Sequence, residues 1–178
     1  MILSLIGMFI NIFSFQARKK ALYLLMQSVG SIFFLLSYVF AGGGIAIWLN
    51  VIFLIRNAVF MNTEKISHNT QKKICFALCS AYILTYVLHI IFGQETLSEN
   101  LWGLLPIIGA HFGTFAILNN DPIKLRVVKL GDSVAWLCFN SHIGLGALGG
   151  TLGEIFNITS SLIAMYRFRR KDKQSVKK

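Results

Sequence analysis

Seven long apolar runs fill most of this chain, and every lysine and arginine falls at or beside one alternating set of the boundaries between them. The runs span approximately 2–17, 21–40, 43–61, 74–92, 101–118, 123–143 and 146–166. The chain of 178 residues is 55% hydrophobic and 13% charged, where a soluble domain carries about 25% charge. A domain of that size still exposes about a third of the surface of its unfolded chain, so so much apolar side chain cannot all be buried in one core. Lipid removes the conflict. A spanning helix needs about 20 apolar residues, with about 17 tolerated. Helices satisfy their own backbone groups, which lipid cannot do. A barrel would instead show alternating segments of about ten residues, and the unbroken SIFFLLSYVF at 31–40 does not fit one. The reading is an all-α membrane protein of about seven transmembrane helices. The first run is short, the third contains Arg56, and the sixth carries Lys124, Arg126 and Lys129 in its opening turns.

The charges set an expected orientation. Arg18, Lys19 and Lys20 follow the first run. Arg56, Lys65, Lys72 and Lys73 surround the third connection, and Lys124, Arg126 and Lys129 follow the fifth run. The remainder crowd the tail, from Arg167 to Lys178. The alternate connections, at 41–44, at 93–100 and around Gly144, hold none of the seventeen, while Glu95 and Glu99 lie there. Under the positive-inside rule the N-terminus is outside and the C-terminus cytoplasmic. The first run begins at Met1 with no basic segment before it, so it is expected to be retained as a span. A net charge of +10 on a soluble chain would suggest nucleic acid. Here the basic residues serve topology and contact with anionic lipid, and no nucleic-acid partner is expected.

An internal repeat underlies the pattern. IGMFINIF at 6–13 is similar to IGAHFGTF at 108–115, an offset of 102. At that offset Ser31 meets Ser133, Leu35 meets Leu137, Gly42 meets Gly144, Gly44 meets Gly146, and the aromatic Phe34 meets Trp136. Each copy has a basic first connection and an uncharged, glycine-rich second one. Three spans reverse direction, so a directly fused copy would be inverted; one extra span between the copies makes them parallel. The expected organisation is a single membrane domain over 1–178. Repeat one covers 1–61, a linker loop and helix cover 62–100, repeat two covers 101–166, and a basic cytoplasmic tail covers 167–178.

This 3+1+3 order resembles the sugar-transporting SWEET proteins, whose parallel repeats share an axis along the membrane normal. The chain departs from them in lacking the Pro-Gln dipeptides of the related PQ-loop proteins and most hinge prolines: its only prolines are Pro106 and Pro122. A second resemblance lies in LLPIIG at 104–109, in Trp136, Asn140, Gly149-Gly150-Thr151 and Glu154, and in the segment from Gly44 to Arg56 around Asn50. In these the chain resembles the bacterial inner-membrane family YgjV. That resemblance implies a bacterial inner membrane and supplies no substrate.

Polar groups placed in lipid are costly and face the bundle interior. Glu154 is the sharpest of them, read either as a titrating or substrate-contacting carboxylate or as a structural acid bonded to a neighbouring helix. Asn50 lies at similar depth in the third run. With two residues inserted in the second copy it aligns with Glu154, and with five it aligns with Asn157. The SWEET resemblance implies a central substrate site there, with Phe34 and Trp136 beside it. Asn50, Trp136, Glu154 and Phe34 are therefore the expected substrate-binding residues. Arg56 and Asp132 are expected to pair, as a structural contact or a cytoplasmic gate. Asn11 and Asn157 are read as interhelical hydrogen-bonding residues. His89, His111 and His142 are read as structural, as are Cys75 and Cys79, because no His or carboxylate is spaced to complete a metal site with them. No cofactor or metal is expected, and no nucleophile–base pair, phosphate loop or H-E-x-x-H motif points to an enzyme. Two functions remain: a small-molecule transporter or facilitator with a midplane polar site, or a non-transporting scaffold or interaction protein. Expected partners are membrane lipids, a small-molecule substrate and a second copy of the chain.

Overall fold

A computed structural model describes residues 1–14, 20–61, 66–93, 96–118 and 122–175. Among these residues it contains seven α-helices and no strand. They are α1 (Ile2–Ser14), α2 (Lys20–Ala41), α3 (Ile45–Phe60), α4 (His68–Phe92), α5 (Leu97–Leu118), α6 (Pro122–Ile143) and α7 (Leu148–Ser175), with a short 3-10 turn at Gly144–Ala147. Arg18, Lys19, Lys65, Glu95, Lys177 and Lys178, on which the charge reading partly rests, lie outside the described residues. So do the side chains of Lys20, Lys124, Arg126 and the tail from Arg167.

Capping residues set two helix starts that hydropathy alone places later. Ser67 caps α4, its hydroxyl accepting from the Thr70 amide at 3.2 Å, so the helix begins at the polar His68. Thr96 and Glu99 form a capping box for α5. The Thr96 amide donates to Glu99 Oε2 at 2.7 Å, and the Glu99 amide donates to Thr96 Oγ1 at 3.3 Å. α2 and α6 are each followed by a glycine in the left-handed region, Gly42 at φ 70° and Gly144 at φ 77°. A β-carbon disfavours that conformation, and glycine commonly terminates helices in it.

Six helices close a ring. α1 packs on α2, α2 on α3, α3 on α5, α5 on α6, α6 on α7, and α7 returns to α1; α4 lies outside, against α3 and α5. Small residues bring the backbones together. A Cβ on Gly7 would lie 2.9 Å from the Gly30 carbonyl oxygen, and one on Gly149 would fall onto the Ser4 backbone.

The distribution of side chains is inverted relative to a soluble protein. Gln27, Ser31, Asn50, Arg56, Asn57, Thr114, Asp132 and Asn140 are buried. Leu25, Val29, Ile32, Leu36 and Val39 of α2, and Phe76, Ile83, Leu84, Val87 and Ile91 of α4, are exposed. Large contiguous exposed apolar surface does not persist in water. Apolar outside and polar inside is the arrangement lipid selects. Ala21–Ala41, His68–Phe92 and Leu97–Leu118 are each long and apolar enough to cross a membrane, and α1 and α3 are apolar but shorter. α6, with Lys124, Arg126, Lys129 and Asp132, is tolerable in lipid only as part of the ring, with Asp132 facing inward. This is an all-α membrane protein.

Candidate functional site

A polar cavity of about 70 Å³ lies within the ring, lined from five of its six helices. α1 supplies Asn11. α2 supplies Gln27, Ser31, Phe34 and Tyr38, spaced three and four residues apart and so sharing one helix face. α3 contributes Leu49, Asn50 and Phe53; α6 contributes Lys129, Asp132, Trp136 and Asn140; α7 contributes Gly150, Glu154 and Asn157. The structure thus brings Asn50, Trp136, Glu154 and Phe34 to one cavity, together with Asp132. Arg56 stands behind it.

The polar groups are held in specific ways. Glu154 Oε2 accepts from Asn157 Nδ2 at 3.0 Å, and the carboxylate also has the Ser133 hydroxyl of α6 as a partner. Asn50 Nδ2 donates to the Ala46 carbonyl one turn back at 2.8 Å. The bonds of Asn157 and Asn50 therefore stay within their own helices, where interhelical bonding was the expectation for Asn157. A buried side-chain bond across the ring joins Tyr38 and Asn140: the Tyr38 hydroxyl donates to Asn140 Oδ1 at 2.5 Å. Trp136 lies between Tyr38 and Phe139, at ring separations of 6.3 and 5.9 Å. Gly150 lets α7 approach this group, since a Cβ there would lie 2.7 Å from Asn140 Nδ2.

The charged residues form a cluster at the other end of the cavity. Asp132 forms its direct ion pair with Lys129, one turn earlier on the same helix. Arg56 does not take that place. It donates to Thr114 Oγ1 at 3.4 Å and to Asn57 Oδ1 at 3.3 Å, and its guanidinium sits 3.8 Å above the Phe53 ring. A buried cation over an aromatic face gains about 2 kcal/mol when desolvated. Both groups close on Gly113: a Cβ there would lie 2.8 Å from Asp132 Oδ2 and 3.2 Å from Arg56 Nη1. Arg56 and Asp132 therefore share one cluster across Gly113, with Lys129 as the residue in contact with the acid.

Beyond Tyr38, toward the ends of α2 and α6, lies a second cavity of about 180 Å³. Gly42, Gly43, Glu99, Trp102, Phe139 and His142 are among its lining residues. Gly43 donates its amide to the Tyr38 carbonyl at 2.9 Å. Tyr38 and Asn140 belong to the lining of the inner cavity, next along α2 and α6 to this vestibule. His142 stacks on Trp102, with ring centroids 4.4 Å apart and planes 8° from parallel. His111 bonds the Ile107 carbonyl through Nδ1 at 2.8 Å. Cys75 and Cys79 are buried, while Cys138 faces outward.

Residues 1–172 match the family Imp-YgjV, described as a bacterial inner membrane protein. The chain belongs to this family. Its place is therefore the bacterial inner membrane, which agrees with the inverted packing of the ring. No curated protein and no solved structure matches the chain.

Sequence reading missed Lys129, Tyr38 and Gln27 as cavity residues. Lys129 was read as a topology charge, although its i,i+3 spacing to Asp132 is the signal for an intrahelical pair. Tyr38 and Asn140 stand at the same offset of 102 as Phe34 and Trp136, yet they are chemically unlike and an identity search passes over them. In this Imp-YgjV member Tyr38→Phe is expected to destabilise the fold by about 1–3 kcal/mol, since it strands a buried Asn140 acceptor. A melting comparison in detergent checks this. A Tyr38→Phe/Asn140→Leu double variant should recover much of the loss.

Proposed function

We propose that this protein is a small-molecule transporter or facilitator whose solute site is the central cavity, with Asn50, Trp136, Glu154 and Phe34 contacting the solute. The observation that carries the reading is a cavity with two carboxylates, a lysine, several amides and four aromatic side chains, at the centre of a helix ring in a membrane protein. Intramembrane ionisable groups facing a cavity commonly mark a solute or ion path. The outer vestibule adds an approach to it, closed by Tyr38 and Asn140.

In this reading the ring is two parallel three-helix repeats, α1–α3 and α5–α7, joined through α4. Exchanging α1 with α5, α2 with α6 and α3 with α7 maps the observed helix contacts onto one another, including α1 on α7 and α5 on α3. The glycine turns at Gly42 and Gly144 obey the same exchange. Two equivalent positions, Tyr38 and Asn140, touch each other, as residues near a two-fold axis must. In this reading the N-terminus and the vestibule are outside and the C-terminus is in the cytoplasm, which the charge pattern supports. Solute is moved, with no chemical step assigned to the chain.

A second reading, a non-transporting scaffold or interaction protein, draws support from Glu154 being capped by Asn157 and Ser133 and from the small cavity. A thermal-shift screen of a metabolite library on purified protein, with Glu154→Gln alongside, separates the two. A ligand at 100 times its dissociation constant stabilises by about 2.7 kcal/mol. Transport predicts a hit that Glu154→Gln loses. No hit, with Glu154→Gln melting below wild type, makes Glu154 structural and favours the second reading.

A further inference from the structure

Several hydrogen-bond donors of the inner cavity are engaged within the protein. Asn50 turns its amide N–H groups into its own helix, onto the Ala46 carbonyl at 2.8 Å. Asn157 directs its own onto Glu154 at 3.0 Å, and the Lys129 ammonium is taken by Asp132. In each pair the partner is a carbonyl or carboxylate oxygen, so the N–H end is the one engaged. The Tyr38 hydroxyl donates to Asn140. These donors are thus committed within the protein.

Acceptors stand beside them. Asn11 Oδ1 is buried and meets no donor among the described residues. Glu154 is held by the neutral donors Asn157 and Ser133, which leave its charge uncancelled by direct contact. Arg56 is engaged by Thr114, Asn57 and the Phe53 face. The rings of Trp136, Phe34 and Tyr38 line the same cavity as the carboxylate. A carboxylate, amide oxygens and aromatic faces in a partly desolvated space form a receptor for a cation that carries N–H donors. An anion would face Glu154 and Asp132 with Lys129 already engaged.

Resting on the reading of this cavity as a solute site, we propose that the solute is a small organic ammonium ion, its nitrogen on Glu154 and its carbon body against Trp136 and Phe34. The size follows from the volume. About 70 Å³, at about 10–15 Å³ for each water-sized occupant, holds on the order of five non-hydrogen atoms.

The test uses purified full-length protein and melting temperature as readout at fixed ionic strength. Three probe series of matched length are compared: the chlorides of methyl- to butylammonium, the corresponding alcohols, and the sodium salts of acetate to valerate. The expected result is a concentration-dependent rise with the ammonium series alone. Affinity should fall at least tenfold in Glu154→Gln, and by less in Glu154→Asp, which keeps the charge and serves where the glutamine variant folds poorly. Stabilisation by the alcohols or carboxylates without the ammonium ions, lost in Trp136→Ala, would overturn the cation assignment and leave the cavity as a solute site. Stabilisation by none of the three series overturns the cation assignment, and a blank metabolite screen beside it removes the solute site as well.

Discussion

Asp132→Asn, made alone, is expected to lower stability by about 3 kcal/mol. Lys129 and Asp132 are both largely buried, with side-chain exposures of 16% and 6%, and they form an ion pair one helical turn apart. Removing one member of a buried pair leaves the other charge desolvated and uncompensated, at a typical cost of about 3–5 kcal/mol. The low end applies because Glu154 lies close enough to act on Lys129 electrostatically. Replacing both residues, as in Lys129→Leu/Asp132→Leu, removes the desolvated charges together and should recover most of the loss. Melting temperature and the yield of monodisperse protein in detergent read out both variants. A double variant no better than Asp132→Asn would show that the pair contributes more than its mutual neutralisation.

Gly149→Val is expected to be at least as damaging. Gly149 begins the contact of α7 with α1 that closes the ring, and its amide donates to Ser4 Oγ at 3.2 Å. A side chain at this position would collide with the Ser4 backbone, which cannot swing aside as a flexible side chain can. Overpacking typically costs about 1–3 kcal/mol, and more where backbone must shift. We expect about 3 kcal/mol or more, with most of the protein lost to aggregation on extraction. Gly42 is the contrast. It has positive φ and open space around its β-position, so Gly42→Ala meets backbone strain alone, about 1 kcal/mol.

The helices were legible because lipid imposes one strong rule, continuous apolar length, which α2, α4 and α5 obey in full and α1 and α3 obey over a shorter run. Helix starts were less legible, because hydropathy is blind to the polar first turns of α4 and α5. Ser67 and the Thr96–Glu99 box carry that information in a different form. Asn50, Trp136, Glu154 and Phe34 line one cavity; polar residues inside apolar runs were the signal for Asn50 and Glu154, because lipid turns such groups to the bundle interior. The partners of the charges were not reachable that way. Arg56 and Asp132 both reach Gly113, yet Asp132 pairs with Lys129 and Arg56 lies over Phe53. Which neighbour a long side chain selects depends on helix rotation, and the sequence period leaves that open by a residue or two.

The central claim is that the cavity behind Tyr38 opens to solute and is not merely sealed packing. The most direct measurement is the labelling of Ser31→Cys, a cavity position, in a background where Cys75, Cys79 and Cys138 are replaced by alanine. A small cationic methanethiosulfonate that cannot cross the membrane is added from outside, with the lipid-facing Val29→Cys as control. The account predicts that Ser31→Cys is modified, that the control is not, and that Glu154→Gln slows the reaction by weakening attraction of the cation. Ser31→Cys that stays unmodified from either side of the membrane, in protein that is folded, would contradict it and leave the ring as a sealed structural core.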